Sequence, residues 1–252
     1  MHQGIFVGLD LGWSTGATGV AATDDQGCLI ASGRVRTDEE IAAWIAGLRS
    51  EVSVVAVDAP LVVPNESGQR VAERLIGRTF GGFGASAHTS NRATFGGQEP
   101  RAMRLAKRFG WEIDPSARPF TDQTVCIEVY PHPAMIGLFG LTYRLDYKKG
   151  NVERRRPGFV ALMSHLEGIA ELAVAGQPRW EEIRDAVASP RPGDLNRVED
   201  ELDAIVCARL AWMWHHRRDT LRIYGSADEG YIVAPSPPTH RPVRPLRSTE
   251  ES

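Results

Sequence analysis

Several features are scarce in this sequence, and each scarcity argues against a class of protein. There are only three cysteines, Cys28, Cys126 and Cys207. They are widely spaced and contain no CxxC pair, so we expect neither a disulfide framework nor a zinc site. No apolar run approaches the roughly 18 residues that a membrane span needs, and the first residues lack the basic region and cleavage site of a secretory signal. We therefore expect a cytoplasmic protein without a membrane partner.

An excess of positive charge is also missing. The 252 residues include 29 Lys and Arg against 32 Asp and Glu, which gives a formal net charge of -3. Domains that bind nucleic acid are usually basic, so a nucleic-acid partner would require the positive charge to be local. The hydrophobic fraction of 42% is ordinary for a globular protein, and the length suits one domain.

The pattern of apolar runs predicts an α/β fold with a mixed sheet of five strands. A short buried strand is expected over residues 5–10. Two more strands flank the turn-forming residues 24–27, so the first three strands should form an antiparallel meander. A helix then precedes a fourth strand at 52–57, and a fifth follows at 124–129. Because a helical crossover between strands makes them parallel, the fourth strand should lie parallel to the first.

The remaining segments predict the domain organisation. Residues 61–122 form a long insertion between the fourth and fifth strands, and we expect it to be a cap or substrate-contacting subdomain. The last strong helix is predicted over about 199–217, so that helices cover both faces of the sheet. Residues 1–234 are expected to form a single domain, and the Pro-rich segment 235–252 a disordered tail.

Carboxylates lie at the ends of the predicted strands and on one face of the last predicted helix. Asp10, Asp58 and Glu128 lie at or near the ends of the first, fourth and fifth predicted strands, and ligand sites in open α/β sheets lie at that edge. Asp200 and Asp203 share one face of the last helix at i, i+3 spacing. Each acid also has a structural reading, as a strand end, an ion-pair partner or a helix-dipole complement. Together they predict a metal site, since clustered carboxylates repel each other unless a cation lies among them.

Such a cluster is typical of metal-dependent hydrolysis of phosphodiesters. Hard oxygen ligands hold Mg²⁺ or Mn²⁺, which activates water and neutralises charge on the leaving oxygen. We therefore expect Asp10, Asp58, Glu128 and Asp203 to be catalytic and the cofactor to be Mg²⁺ or Mn²⁺.

Four segments in order are Gly-Leu-Asp-Leu-Gly at 8–12, Ala-Val-Asp-Ala-Pro at 56–60, Ile-Glu-Val-Tyr-Pro-His-Pro at 127–133 and Asp-Glu-Leu-Asp-Ala at 200–204. Together they resemble the DUF429 family, over roughly residues 4–235. That family is described as predicted nucleases with an RNase H-like fold, so the resemblance implies an RNase H-like domain and a nuclease.

The order of the acids is also similar to that in Holliday-junction resolvases of the RuvC type. That likeness implies that Asp10, Asp58, Asp200 and Asp203 are the metal ligands. Glu128 departs from it, because it lies on an additional strand without a clear resolvase counterpart.

Local basic and polar clusters supply the candidate substrate-binding residues. Arg and Lys side chains can bind phosphates, Arg through two parallel hydrogen bonds and Lys as a point charge. Solvated surface charges and structural histidines are the alternative explanation. The candidates, from the insertion and from segments after the fifth strand, are Arg74, Arg78, His88, Asn91, His132, Lys148 and Lys149.

The leading hypothesis is a metal-dependent nuclease acting on DNA or RNA, with a homodimer left open. Three alternatives remain at this point. Residues 10–15 resemble the first phosphate loop of actin-like sugar kinases, which suggests a phosphotransferase or ATPase. The others are a non-catalytic nucleic-acid or nucleotide binder and a hydrolase of a small phosphorylated metabolite.

Overall fold

The computed structural model describes residues 4–12, 16–117 and 123–245. Within these ranges the chain forms a mixed five-stranded sheet, a separate two-stranded sheet and seven α-helices. The strands of the large sheet are β1 Ile5–Asp10, β2 Thr18–Thr23, β3 Leu29–Val35, β4 Val52–Val57 and β5 Val125–Glu128. The smaller sheet consists of β6 Leu221–Ser226 and β7 Gly230–Pro235.

The topology of the large sheet confirms the predicted fold. The strand order is β3-β2-β1-β4-β5. β1 and β3 each pair antiparallel with β2, whereas β4 is parallel to both β1 and β5. An antiparallel meander followed by parallel strands is consistent with an RNase H-like arrangement, and it brings the carboxyl ends of β1, β4 and β5 to one edge.

The helices follow local signals in the sequence. The first one begins where Thr37 and Glu40 form a reciprocal capping box. Two helices lie inside the predicted insertion. The helices are α1 Asp38–Ala46, α2 Val71–Phe80, α3 Arg101–Phe109, α4 Pro131–Phe139, α5 Val152–Glu167, α6 Pro178–Ala188 and α7 Asp194–His216.

The long helix α7 packs across β1 and β2. It starts at Asp194, earlier than the predicted residue 199, and follows Gly193, whose φ is 84°. Two strand glycines allow its close approach, because a Cβ at Gly8 or Gly19 would collide with the backbone of this helix. The first half of α7, with its acidic residues, therefore lies directly against the end of β1 that carries Asp10.

The segment predicted as a disordered tail lies against the domain as far as the structure describes it. Pro235 is the last residue of β7. The amide of Val243 donates to the carbonyl of Thr142 at 2.9 Å, and the His240 ring contacts the Leu141 carbonyl. Proline content alone predicted disorder here, yet these contacts anchor the segment. The end of the predicted tail, residues 246–252, lies outside the described residues.

In the described ranges, no helix combines the length and the apolar character that crossing a membrane requires.

Candidate active site

The centre of the candidate site is formed by Asp10 and Asp58, which are neighbours across β1 and β4. Leu9 is paired with Val57, and the amide of Asp58 donates to the carbonyl of Leu9 at 2.8 Å. Paired residues on adjacent strands point to the same face of a sheet. The two aspartates therefore project side by side at the sheet edge, as the sequence predicted.

The charges of these two carboxylates are poorly compensated. Burial raises the pKa of Asp10 well above its usual range, and the nearby charges of Asp203 and Asp58 raise it further. Burial likewise raises the pKa of Asp58 to about 7, even though the ammonium of Lys148 lowers it. Asp10, Asp58 and Asp203 all interact with the single ammonium group of Lys148. This excess of negative charge favours the binding of a proton or of a cation.

Glu128, predicted to be catalytic, is instead engaged in a buried ion pair. Its Oε1 accepts from Arg70 Nη2 at 2.6 Å, and its Oε2 accepts from Arg70 Nη1 at 2.9 Å and from the Leu61 amide at 2.8 Å. Glu128 is paired in register with Val57, one residue before Asp58. Because side chains alternate along a strand, Glu128 is out of phase with the aspartate pair. We therefore assign it to the framework of the site.

Asp203 is close to the aspartate pair but is fully buried and already partnered. Tyr147 Oη donates to its Oδ1 at 2.6 Å, and Lys148 Nζ lies 2.5 Å from its Oδ2. Burial lowers the pKa of Lys148, but the carboxylates of Asp203, Asp10 and Asp58 outweigh this effect and raise it well above the usual value. The lysine is thus a permanent cation among three acids. Asp203 was predicted to be catalytic and a metal ligand, but both of its oxygens are engaged, and we assign it to the positioning of Lys148.

The other helix-borne acid, Asp200, is also paired. Its Oδ2 accepts from Arg34 Nε at 2.7 Å, across the edge of β3. Burial raises the pKa of Asp200 despite this arginine. Its neighbour Glu199, bound by Arg155, has its pKa raised to about 7 by burial, with Lys148 opposing the rise. The i, i+3 pair therefore diverges, Asp200 toward β3 and Asp203 toward Tyr147.

The two aspartates open into a cavity of about 620 Å³. Within the described ranges, no group of three or more His, Cys, Asp or Glu side chains is arranged to hold a metal ion. The predicted four-aspartate ligand set is therefore not assembled. Mg²⁺, however, commonly uses only one or two protein carboxylates and completes its shell with water and substrate phosphate. Asp10 and Asp58 fit that smaller requirement.

Some of the predicted substrate-binding residues line this cavity. His88, His132, Lys148 and Lys149 do so. His132 is 6% exposed, and its Nδ1 has no hydrogen-bond partner in the described part of the chain.

The other predicted residues of this set do not line the cavity. Arg74 and Arg78 are on the exposed face of α2, and Arg74 Nη1 donates to the Gln69 carbonyl. Asn91 is buried, where its Oδ1 accepts from the Thr94 amide and its Nδ2 donates to the Gly68 carbonyl. Helical spacing placed the two arginines together but could not show which way the helix faces.

Four arginines also line the cavity: Arg70, Arg101, Arg104 and Arg144. Arg101 holds Asp38 and the carbonyl of Gly12, and Arg104 donates to the Glu99 carbonyl. Arg144 lies in the segment between α4 and α5, and its amide donates to the Phe83 carbonyl. Its nearness in sequence to Lys148 and Lys149 was the available signal for including it.

The basic residues of segment 148–156 do not form one group in the structure, since Lys148 and Lys149 precede α5. Arg154 and Arg155 belong to α5 rather than to a loop, and both are paired with acids, Asp146 and Glu199. Of the segment 10–15 that resembles a phosphate loop, Trp13, Ser14 and Thr15 lie outside the described residues.

Comparison with known proteins agrees with the resemblance noted in the sequence. The family described as Protein of unknown function (DUF429) matches residues 8–229 of the chain. A search of curated proteins found no match. The family match covers most of the chain and includes all the acids discussed above. This protein is therefore a member of the DUF429 family.

Proposed function

We propose that this protein hydrolyses a phosphodiester bond of DNA or RNA with the help of a divalent metal ion bound by Asp10 and Asp58. The observation that carries the proposal is the pairing of these two carboxylates at the ends of parallel strands, facing one cavity. Both have raised pKa values because burial and neighbouring acids disfavour their charge. Binding of a divalent cation would relieve that repulsion.

The chemistry of the donor set supports magnesium or manganese. Carboxylate oxygens are hard ligands, and the free cysteines Cys126 and Cys207 are buried. When bound, the ion would lower the pKa of a water molecule and neutralise charge on the phosphate. Asp10 and Asp58 would hold it, while substrate oxygens and water complete its coordination.

The protein's own cation has a distinct role in this proposal. Lys148 is held by Asp203, which is in turn held by Tyr147. Lys148 lines the cavity, and its charge interacts with those of Asp10 and Asp58. In that position it would bind an oxygen of the reacting phosphate and balance the charge that builds up during hydrolysis.

The proposed nucleic-acid partner rests on the charge of the cavity wall. The net charge of the chain is -3, yet Arg101, Arg104, Arg144 and Lys149 all line the cavity. They are the positively charged side chains that a phosphate-bearing ligand would meet in this cavity, which acids also line.

The test is hydrolysis by the purified protein with Mg²⁺, with Mn²⁺ and with EDTA, on single-stranded and double-stranded DNA and RNA. We expect metal-dependent cleavage that Asp10→Asn and Asp58→Asn each reduce by about a hundredfold or more. Asp228→Asn, at an exposed turn, is the matched control and should keep full activity. Cleavage that survives Asp10→Asn, or that proceeds equally in EDTA, would contradict the proposal.

Metal binding can be measured separately from catalysis. Titration with Mn²⁺, followed by electron paramagnetic resonance of the free ion, should show a site that Asp10→Asn and Asp58→Asn weaken and Asp228→Asn does not. Equal Mn²⁺ binding by all four proteins would place the ion elsewhere.

A further inference from the structure

The cavity is lined by both acidic and basic side chains. Asp10 and Asp58 lie at the strand ends, whereas Arg144, Lys149 and His88, called the basic wall below, line the same cavity from segments outside the sheet. The proposed metal accounts for the paired aspartates but not for the basic wall.

Two basic side chains of this wall are not paired with an acid among the described residues. Neither the Arg144 nor the Lys149 side chain forms an ion pair with any residue that the structure describes. The nearest acid in sequence, Asp146, is bound by Arg154 through contacts of 2.9 and 3.1 Å. Lys148, by contrast, forms an ion pair with Asp203. Arg144 and Lys149 are therefore available to an anion that enters the cavity.

A buried imidazole lies near these cations. His132 is in the first turn of α4, is 6% exposed and lines the cavity. Its Nδ1 lacks a hydrogen-bond partner in the described ranges, and a buried polar atom without a partner is costly. Burial lowers the pKa of His132 to about 3, and the charges of Lys148, Arg144, His88 and Lys149 contribute to this. The ring is therefore neutral near pH 7, and its surroundings repel a second cation.

We propose that Arg144, Lys149 and His132 form a subsite for a terminal phosphate group of the substrate, a short distance from the bond that is hydrolysed at Asp10 and Asp58. This inference rests on the proposed function and specifies its substrate. A phosphomonoester carries a charge of about -1.5 to -2 and several acceptor oxygens. An arginine, a lysine and a neutral imidazole together supply donors and charge for such a group.

The size of the cavity favours a chain end over an internal segment of a duplex. A volume of about 620 Å³ falls within the roughly 300–1,000 Å³ typical of sites that enclose small ligands. A phosphodiester and a terminal phosphate that occupy one such cavity must belong to a short stretch of substrate. Two sources share this chemistry, the phosphorylated end of a single strand and a small phosphorylated compound.

The test compares ligands that differ only in the terminal phosphate, in EDTA so that no hydrolysis occurs. The pairs are a short single-stranded oligonucleotide with a 5′-phosphate, with a 3′-phosphate or with neither, and a nucleoside monophosphate against its nucleoside. We expect the phosphate to tighten binding by about tenfold or more in at least one pair. Preference within the oligonucleotide set identifies the strand end, and preference confined to the nucleotide pair identifies a small substrate.

Variants then test whether the basic wall causes the preference for the phosphorylated ligand. Arg144→Ala with Lys149→Ala should abolish it, whereas Arg74→Ala with Arg78→Ala removes the same charge outside the cavity and should preserve it. His132→Gln should reduce it in part. If the first double variant does not fold, Lys149→Ala alone, at an exposed residue, must still reduce the preference. Equal binding with and without the phosphate overturns the inference. So does a preference for the phosphate that is unchanged in the variants of Arg144 and Lys149.

Failure of this inference differs from failure of the proposed function. Metal-dependent cleavage without any phosphate preference would reject only the subsite. A phosphate preference in EDTA that is lost in the double variant, in a protein that hydrolyses nothing, would support the subsite and reject the hydrolase.

Discussion

Arg70 and Glu128 are joined by two hydrogen bonds, of 2.9 and 2.6 Å, and each is 3% exposed. The pair connects the N-terminal end of α2, in the insertion, to the end of β5. Arg70 also binds Glu73 at 2.9 Å and donates to the Val62 carbonyl, while Glu128 accepts from the Leu61 amide. The segment that directly follows Asp58 is thereby fixed between the sheet and the insertion.

This network predicts a large loss of stability when its arginine is removed. Arg70→Met leaves Glu73 and Glu128 buried without their cation, so we expect the free energy of unfolding to fall by about 3–5 kcal/mol. Urea denaturation measures it. Arg74→Met, on the exposed face of the same helix, is the control and should change stability by less than about 0.5 kcal/mol. A similar result for both variants would mean that the buried pair contributes little.

A second prediction concerns Lys148 and Asp203. Lys148→Met leaves the fully buried carboxylate of Asp203 with the hydrogen bond from Tyr147 as its one remaining partner in the described part of the chain, and we expect a loss of about 3 kcal/mol in EDTA. Adding Asp203→Asn to this variant should recover part of the loss, because the uncompensated charge is gone. A double-mutant cycle measures the coupling, which we expect to exceed about 1 kcal/mol. Additive effects would show that the two side chains do not interact.

A third prediction follows from the repulsion between the paired aspartates. At pH 8, above the pKa of about 7 for Asp58, ionised carboxylates destabilise the metal-free fold. Asp58→Asn removes one charge at nearly constant volume, and we expect it to stabilise the protein in EDTA by about 1 kcal/mol or more. Thermal denaturation checks this, with Asp228→Asn as the control. A lower melting temperature for Asp58→Asn would contradict the account of the site.

The parts of this molecule that the sequence predicts correctly are those with local signals. The turn at 24–27 and the helix between β3 and β4 determine the order of the first four strands. Asp10 ends the apolar strand β1, and Asp58 directly follows the apolar strand β4. Because Leu9 pairs with Val57, the two aspartates point to the same face, and their convergence follows from the topology alone.

The missed features depend on partners distant in sequence. Glu128 looked like a ligand because an acid in an apolar strand needs a partner, yet that partner is Arg70, 58 residues earlier. Asp203 was expected to face a metal, whereas Tyr147 and Lys148 occupy its oxygens. Periodicity gives the face of a residue within its own element, but it does not identify which side chain of another element meets it.

The last prediction concerns acid sensitivity and His132. The folded-state pKa of about 3 lies below the ordinary value of 6.5 because burial and nearby cations disfavour the imidazolium. Between these two values the unfolded chain binds a proton that the folded chain does not, so the free energy of unfolding falls as the pH drops from 6.5 toward 3. At pH 5 this amounts to about 2 kcal/mol.

The side chain of Gln in His132→Gln does not titrate. Between pH 7.5 and pH 5, urea denaturation should therefore show a loss of stability that is about 2 kcal/mol smaller in this variant than in wild type. The same substitution at the exposed His88 controls for the change of residue type. An equal loss of stability in wild type and His132→Gln would show that this imidazole is readily protonated in the folded protein. His132 could then not be treated as a neutral member of the phosphate subsite.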